Sequence, residues 1–257
     1  MDKHDPAEAP HIPYAIDNQR IQYVLSPTHV PFGFWRSVDH SQHGFFTESF
    51  VDELAWAAGK DPFEFRRELL SNQPRLKAVL ELAAEKSDWN DNMLGSNRGR
   101  GIALQHSFGS IVAQVIDVTV ESGIVSIDRI VCAVDTGFAI NPDGVRAQME
   151  SGIVYGLTAA LYGEISISNG AVSQSNFHDY EMVRIDQVPD IETHVINGGG
   201  PIGGAGEPGT PAVAPALANA IFSATGTRIR QLPIKNYDLT FRIEERAFKR
   251  KAPLPLG

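Results

Sequence analysis

Residues 198–234 read GGGPIGGAGEPGTPAVAPALANAIFSATGTRIRQLPI, the most informative segment of the chain. The first part, residues 198–209, sets glycines and two prolines around a single acid, Glu207. Glycine lets a backbone take positive φ and come close to a ligand. Runs of exposed N–H groups in such a loop make anion-binding concavities. Directly after it, Thr210 can cap and Pro211 can start a helix running through AVAPALANAIFSAT to Gly226. That helix points its positive end back at the glycine loop, where negative charge is favoured. A carboxylate in that position suits a general base beside a large anionic ligand. On composition alone, a glycine-rich turn carrying one exposed acid remains the competing reading. The loop is not a Walker A sequence, because no Gly-Lys-Ser/Thr follows. It also lacks the preceding strand and following acid of a dinucleotide fingerprint.

Upstream, the pattern is helical first and β later. Residues through about Ile16 are polar and proline-rich and read as an extended arm, and RIQYVL (20–25) is a short strand candidate. PTHVPFGFWRSVDHSQ (27–42) has no helical or strand period and reads as a site loop. Helices are expected over FFTESFVDELAWAAG (45–59), ended by Gly59, over FEFRRELL (63–70), with Asp61 capping and Pro62 in the first turn, and over RLKAVLELAAEK (75–86) after Pro74. DNMLGSNRGRG (91–101) reads as a linker. From there, 102–120 and 124–135, separated by Glu121-Ser122-Gly123, read as a meander of long strands. Asn141-Pro142 opens a helix over 144–163 whose small residues, Ala147, Ser151, Gly152 and Gly156, admit something close to it. Residues 164–174 form a hairpin turning at Asn169-Gly170, and IETHVI (191–196) is another strand. The expected class is α+β, with mixed sheets and packed helices. Its divisions are an N-terminal arm (1–18), a loop and helical region (19–98) and a β-rich region (99–257).

The 257 residues carry a net charge of −9 with no block of like charge, which argues against nucleic acid and anionic membranes as partners. No apolar run is long enough to span a bilayer, and the first residues lack the apolar core of a signal peptide. The expected compartment is the cytoplasm, or the periplasm if a signal-bearing partner exports it. The single cysteine, Cys132, lies in the apolar run 130–134 and reads as a buried strand residue. One cysteine cannot build an iron–sulfur site.

The run Gly206-Glu207-Pro208-Gly209-Thr210-Pro211, followed by VAPALANAI (213–221), resembles the C-terminal signature of xanthine oxidase family molybdenum hydroxylases, in the isoquinoline oxidoreductase and bacterial aldehyde dehydrogenase branch. Three more stretches share the resemblance and its order. Residues 33–70 resemble the segment beside the metal, 133–165 the pterin-contacting helix, and QSNFHDYEMVRI (174–185) a segment near the substrate funnel. The resemblance covers the chain from about Tyr14.

This resemblance implies a cofactor-binding fragment of a molybdenum hydroxylase oxidising an aldehyde or an aromatic N-heterocycle. Glu207 would be the base. Arg36, with Trp35 beside it, would belong to the metal-side loop. Gln148 would hydrogen-bond the pterin, with Gly204 and Gly206 in the loop that meets the cofactor. His178 and Tyr180 would stand near substrate, or be packed and hydrogen-bonded. No side chain is expected to ligate the metal directly; His40 and His43 read as loop histidines. Asp39 stands where the pattern has glycine, an acid close to an anionic cofactor. The implied cofactors are molybdenum with molybdopterin, the cytosine dinucleotide being one form, and 2Fe-2S clusters on a partner. The implied partners are a larger chain completing the pterin site, a small 2Fe-2S subunit, and a cytochrome c or other electron acceptor. The chain is thus expected to be one part of a split catalytic subunit; a non-catalytic structural subunit and a molybdopterin insertion protein are the alternatives.

Overall fold

A computed structural model describes residues 12–22, 24, 27, 30, 31, 33–90, 95 and 97–240. Its centre is a sheet of order β1-β2-β3-β6. Strands β1 (Arg98–Ser107), β2 (Ser110–Glu121) and β3 (Ile124–Asp135) form the expected antiparallel meander. Strand β6 (Asp190–Ile196) returns parallel to β3, because helix α4 (Pro142–Leu161) intervenes and carries the chain back across the sheet. The tight turns fall at positive φ, at Phe108-Gly109 and Ser122-Gly123. A small hairpin, β4 (Ile167–Ser168) and β5 (Ala171–Val172), turns at Asn169-Gly170, where both residues also have positive φ.

Strand β2 is buried along almost its whole length because helices cover both faces of the sheet. Alternate side chains sort the two cores. Ile111, Ala113 and Val115 face α2 (Pro62–Leu69) and α3 (Pro74–Lys86). Val112, Ile116 and Val118 face α4 and α5 (Val213–Thr225). Helix α1 (Asp39–Ala57) packs against α2, β1 and α5, giving Phe45 to one core and Val51 to the other. Cys132 is buried in β3, where burial pushes its thiol up to about 12.

Local chemistry explains the helix ends. Asp61 accepts from the N–H groups of Phe63 and Glu64 at 2.9 and 3.0 Å, with Pro62 in the first turn. Asn141 caps α4 through the Gly144 N–H at 3.1 Å. Gly226, at φ 82°, ends α5.

Four local expectations are corrected. Helix α1 starts at Asp39, six residues before the expected Phe45, because its first turns are polar and carry no apolar period. Strand β1 begins inside the stretch read as a linker. A Cβ on Gly99 or Gly101 would lie 2.2 Å from the carbonyl oxygen of Ala220 or Ala216, so these glycines let α5 lie directly on the strand. Thr210 does not cap α5. The N-cap position is Ala212, and the Thr210 hydroxyl donates to the Gly152 carbonyl at 3.1 Å. Arg20, Ile21, Gln22 and Val24 are in no strand, with Ile21 and Val24 exposed; Tyr23 and Leu25 lie outside the described residues.

Candidate functional site

The glycine loop is anchored along its length by the end of the sheet. Asp135, buried at the end of β3, accepts from the Gly137 and Gly198 N–H groups at 2.7 and 3.1 Å and from Arg75 Nε at 2.9 Å. Gly203 N–H donates to the Thr136 carbonyl and Gly204 N–H to the Phe108 carbonyl, while Ser110 Oγ donates to the Gly204 carbonyl at 2.6 Å. The Gly203 and Gly204 N–H groups are therefore engaged within the protein, not turned out toward an anion. This part of the loop is a scaffold, and its outer end delivers Glu207.

Glu207 is half-buried and meets the segment before α1. Ser37 N–H donates to Glu207 Oε1 at 3.0 Å, and Ser37 Oγ donates to the Glu207 carbonyl at 2.7 Å. Among the described residues, Oε2 has no hydrogen-bond partner. The Arg36 guanidinium donates through Nε to the Gly206 carbonyl at 2.9 Å, and a terminal nitrogen reaches the same oxygen. Its other contacts are on α4: Ser151 Oγ at 3.0 Å and Gln148 Oε1 at 3.3 Å. Its charge also lies 5.6 Å from the centre of the Tyr155 ring, against which Trp35 packs at 5.0 Å.

The fold therefore brings Trp35, Arg36, Gln148, Gly206 and Glu207 together from three distant parts of the chain. The small residues of α4 serve this meeting. A Cβ on Gly152 would lie 3.2 Å from Gly209, and one on Gly156 would lie 2.9 Å from the Val213 side chain. What they admit is the segment just after Glu207. Tyr180 lines a groove of about 820 Å³ along α4, together with Trp35, Arg36, Ser151 and Tyr155. His178 is exposed, 3.8 Å from Asp179, and does not line that groove. Asp39 opens α1, where an acid is favoured by the helix dipole, and its charge works against the burial that lowers the His43 pKa. His40 packs edge-on to Phe108. No group of three or more His, Cys, Asp or Glu that could hold a metal occurs among the described residues.

Sequence reasoning did not single out Ser37. Its signal was weak, a serine following a motif arginine, because its part depends on a backbone N–H and on φ 74°.

Residues 45–189 match the family model of the molybdopterin cofactor-binding domain. The chain is 34% identical over 228 residues to isoquinoline 1-oxidoreductase subunit beta of Brevundimonas diminuta, covering 87% of this chain and 29% of that protein. The chain belongs to the xanthine oxidase family of molybdopterin-binding proteins. The membrane-bound aldehyde dehydrogenase (pyrroloquinoline-quinone) of Gluconacetobacter polyoxogenes is 32% identical over 80% of this chain and 29% of its own length. The fold agrees. The quinoline 2-oxidoreductase structure from Pseudomonas putida 86 superposes with a TM-score of 0.70 at 12% identity, covering 79% of this chain and 52% of that one. The chain thus spans under a third of the length of these curated relatives. Among the described residues, no helix is long and apolar enough to cross a membrane.

Proposed function

We propose that this chain supplies the base-carrying part of a molybdenum hydroxylase that oxidises an aldehyde or an aromatic N-heterocycle with water-derived oxygen. The observation that carries the reading is the Glu207 carboxylate on a firmly anchored loop, held at Oε1 and, among the described residues, without a hydrogen-bond partner at Oε2. The residues around it fit a large polar ligand. Gln148 and Gly206 are exposed, and the nearest atom to a Cβ on Gly206 is Gln148 Oε1 at 3.9 Å, so backbone and amide face open space. When bound, molybdenum with molybdopterin, the cytosine dinucleotide being one form, supplies the oxygen transfer and takes up two electrons.

The chain's own residues do the rest. Gln148 offers its amide N–H groups to the pterin edge, since Arg36 already occupies its oxygen. Gly206 lets the loop come close, with Gly204 and Trp35 beside it. Glu207 Oε2 takes a proton from the oxygen nucleophile as it attacks carbon, while Ser37 holds Oε1 still. Tyr180 and His178 lie on the segment nearest the substrate path.

Partners follow from what the chain leaves open. Ile140 and Phe177 are each 78% exposed, apolar side chains available to a further polypeptide. Further polypeptide of the molybdopterin-binding unit covers them and completes the cofactor site. Cys132, the one cysteine, is buried, so 2Fe-2S clusters belong to a partner that passes electrons to a cytochrome c or other acceptor. Glu207→Gln keeps shape and removes basicity. Turnover should fall by about 10²–10⁴-fold with molybdenum and pterin content close to wild type. Near-normal turnover would remove Glu207 from the mechanism.

A further inference from the structure

Ser37, just before α1, reaches the base, and the backbone at this residue and the next is unusual. Ser37 has φ 74° and Val38 φ 48°, positive values that a serine and especially a β-branched valine rarely adopt. Such strain persists only where the surroundings over-determine it, and it collects at functional sites. Here the bend aims the Ser37 N–H at Glu207 Oε1 while the Arg36 side chain turns to the carbonyl of Gly206, the residue next to the base. The Ser37 hydroxyl fastens the Glu207 carbonyl as well. The arginine fork ties that loop to Ser151 and Gln148 on α4, so each of its three nitrogens already donates to a protein acceptor.

We infer that Ser37 and Arg36 are positioning residues: Ser37 fixes the Glu207 carboxylate through its backbone N–H and turns Oε2 outward, and Arg36 locks the loop and the Gln148 amide in place instead of binding the cofactor itself. The inference rests on the reading of Glu207 as the base. A carboxylate gripped at one oxygen has one oxygen left for proton transfer, in a direction set by the protein. Misplacing a catalytic group by about 1 Å can cost about 10²-fold in rate, which is what the strained bend guards against.

The test uses the assembled, cofactor-loaded protein. Hydrogen exchange at the Ser37 amide is followed by mass spectrometry in wild type, Glu207→Gln and Glu207→Ala. Glutamine keeps an acceptor oxygen; alanine keeps none. Exchange should be slow in wild type and Glu207→Gln and about tenfold or more faster in Glu207→Ala, as expected for a lost hydrogen bond to a charged group. Equal exchange in all three overturns the Ser37 assignment. Turnover of Glu207→Gln separately decides whether Glu207 is the base, so the two readings can fail independently. For Arg36, lysine keeps the charge but not the fork. Arg36→Lys should lower kcat by about 10²-fold with KM and molybdenum content little changed. Loss of molybdenum with normal turnover per metal would make Arg36 a ligand contact and overturn its positioning role.

Discussion

Two glutamates in this molecule each have an arginine and a hydroxyl close by, and they are bonded in opposite ways. Glu48, on α1, is 1% exposed. Its Oε1 accepts from the Tyr14 hydroxyl at 2.7 Å, and its Oε2 accepts from Arg66 Nε at 2.8 Å and the Leu104 N–H at 3.0 Å. Burial, followed by the Glu48 charge, pushes the Tyr14 phenol well above its ordinary range, so it stays a donor. Burial pulls Arg66 down, but Glu48, Tyr14 and Asp52 outweigh it and hold the guanidinium above its ordinary range. The network continues through Asp52 to Arg228, which stacks 3.3 Å from the Phe222 ring centre. Glu207 by contrast receives one N–H on one oxygen, and its arginine binds the neighbouring carbonyl and not the carboxylate. A carboxylate with both oxygens engaged is a structural joint. One with an oxygen left over is equipped for proton transfer.

The contrast breaks first under Glu48→Ala. Removing one partner of a buried ion pair strands the other charge, at a cost of about 3–5 kcal/mol. The midpoint of thermal unfolding should drop sharply, with Glu207→Ala in the same scan losing only the hydrogen bond to the Ser37 N–H, about 1.5 kcal/mol. Comparable losses in the two variants would show that Glu207 is a joint like Glu48, and the division proposed here would fall.

A smaller effect tests how the sheet carries the site. Gly101→Ala drives a Cβ to 2.2 Å from the Ala216 carbonyl oxygen. Overpacking of this kind costs about 1–3 kcal/mol, occasionally more, and it would lift the start of α5, which follows the Glu207 loop. Gly95→Ala, from the same glycine-rich stretch, meets only the Arg98 side chain, at 3.9 Å, among the described residues and should change stability by less than about 0.5 kcal/mol. Equal melting of the two variants would mean that α5 does not depend on close contact with β1.

Gly99 and Gly101 also mark where the sequence stops being readable. In one dimension 91–101 is loop-like, and only the helix lying across β1 shows why glycines belong in a strand. The capped starts of α2 and α4, the Asn169-Gly170 turn and the meander were legible because their causes are local: a side chain satisfies N–H groups two or three residues on, or a turn needs positive φ. Thr210 was misassigned because its hydroxyl had a tertiary partner, Gly152, that no local rule reveals. At the site, the motif around Glu207 was legible as a resemblance. Ser37 was not, because its contact is made by a backbone N–H 170 residues away along the chain. The Tyr14–Glu48–Arg66 joint was equally hidden, since its members lie on three separate segments.

The finest effect concerns Gln148, which stands between the two kinds of residue: one end of its amide is tied to the scaffold and the other faces outward. Arg36 holds its oxygen at 3.3 Å, while the side chain as a whole is exposed. Gln148→Ala removes both functions, and leaving ligand atoms unpaired costs about 1–3 kcal/mol, or roughly a ten- to hundredfold loss of cofactor affinity. Gln148→Glu separates them. The carboxylate still accepts from Arg36, more strongly because it is charged, but it presents no N–H to a ligand. If the outward N–H groups hold the cofactor, both variants lose molybdenum while turnover per bound metal changes little. If Gln148 acts only by bracing Arg36, glutamate retains the cofactor and alanine does not. Molybdenum content and turnover measured on one preparation decide between these, and unchanged content with collapsed turnover per metal would move Gln148 from holding the ligand to the reaction itself.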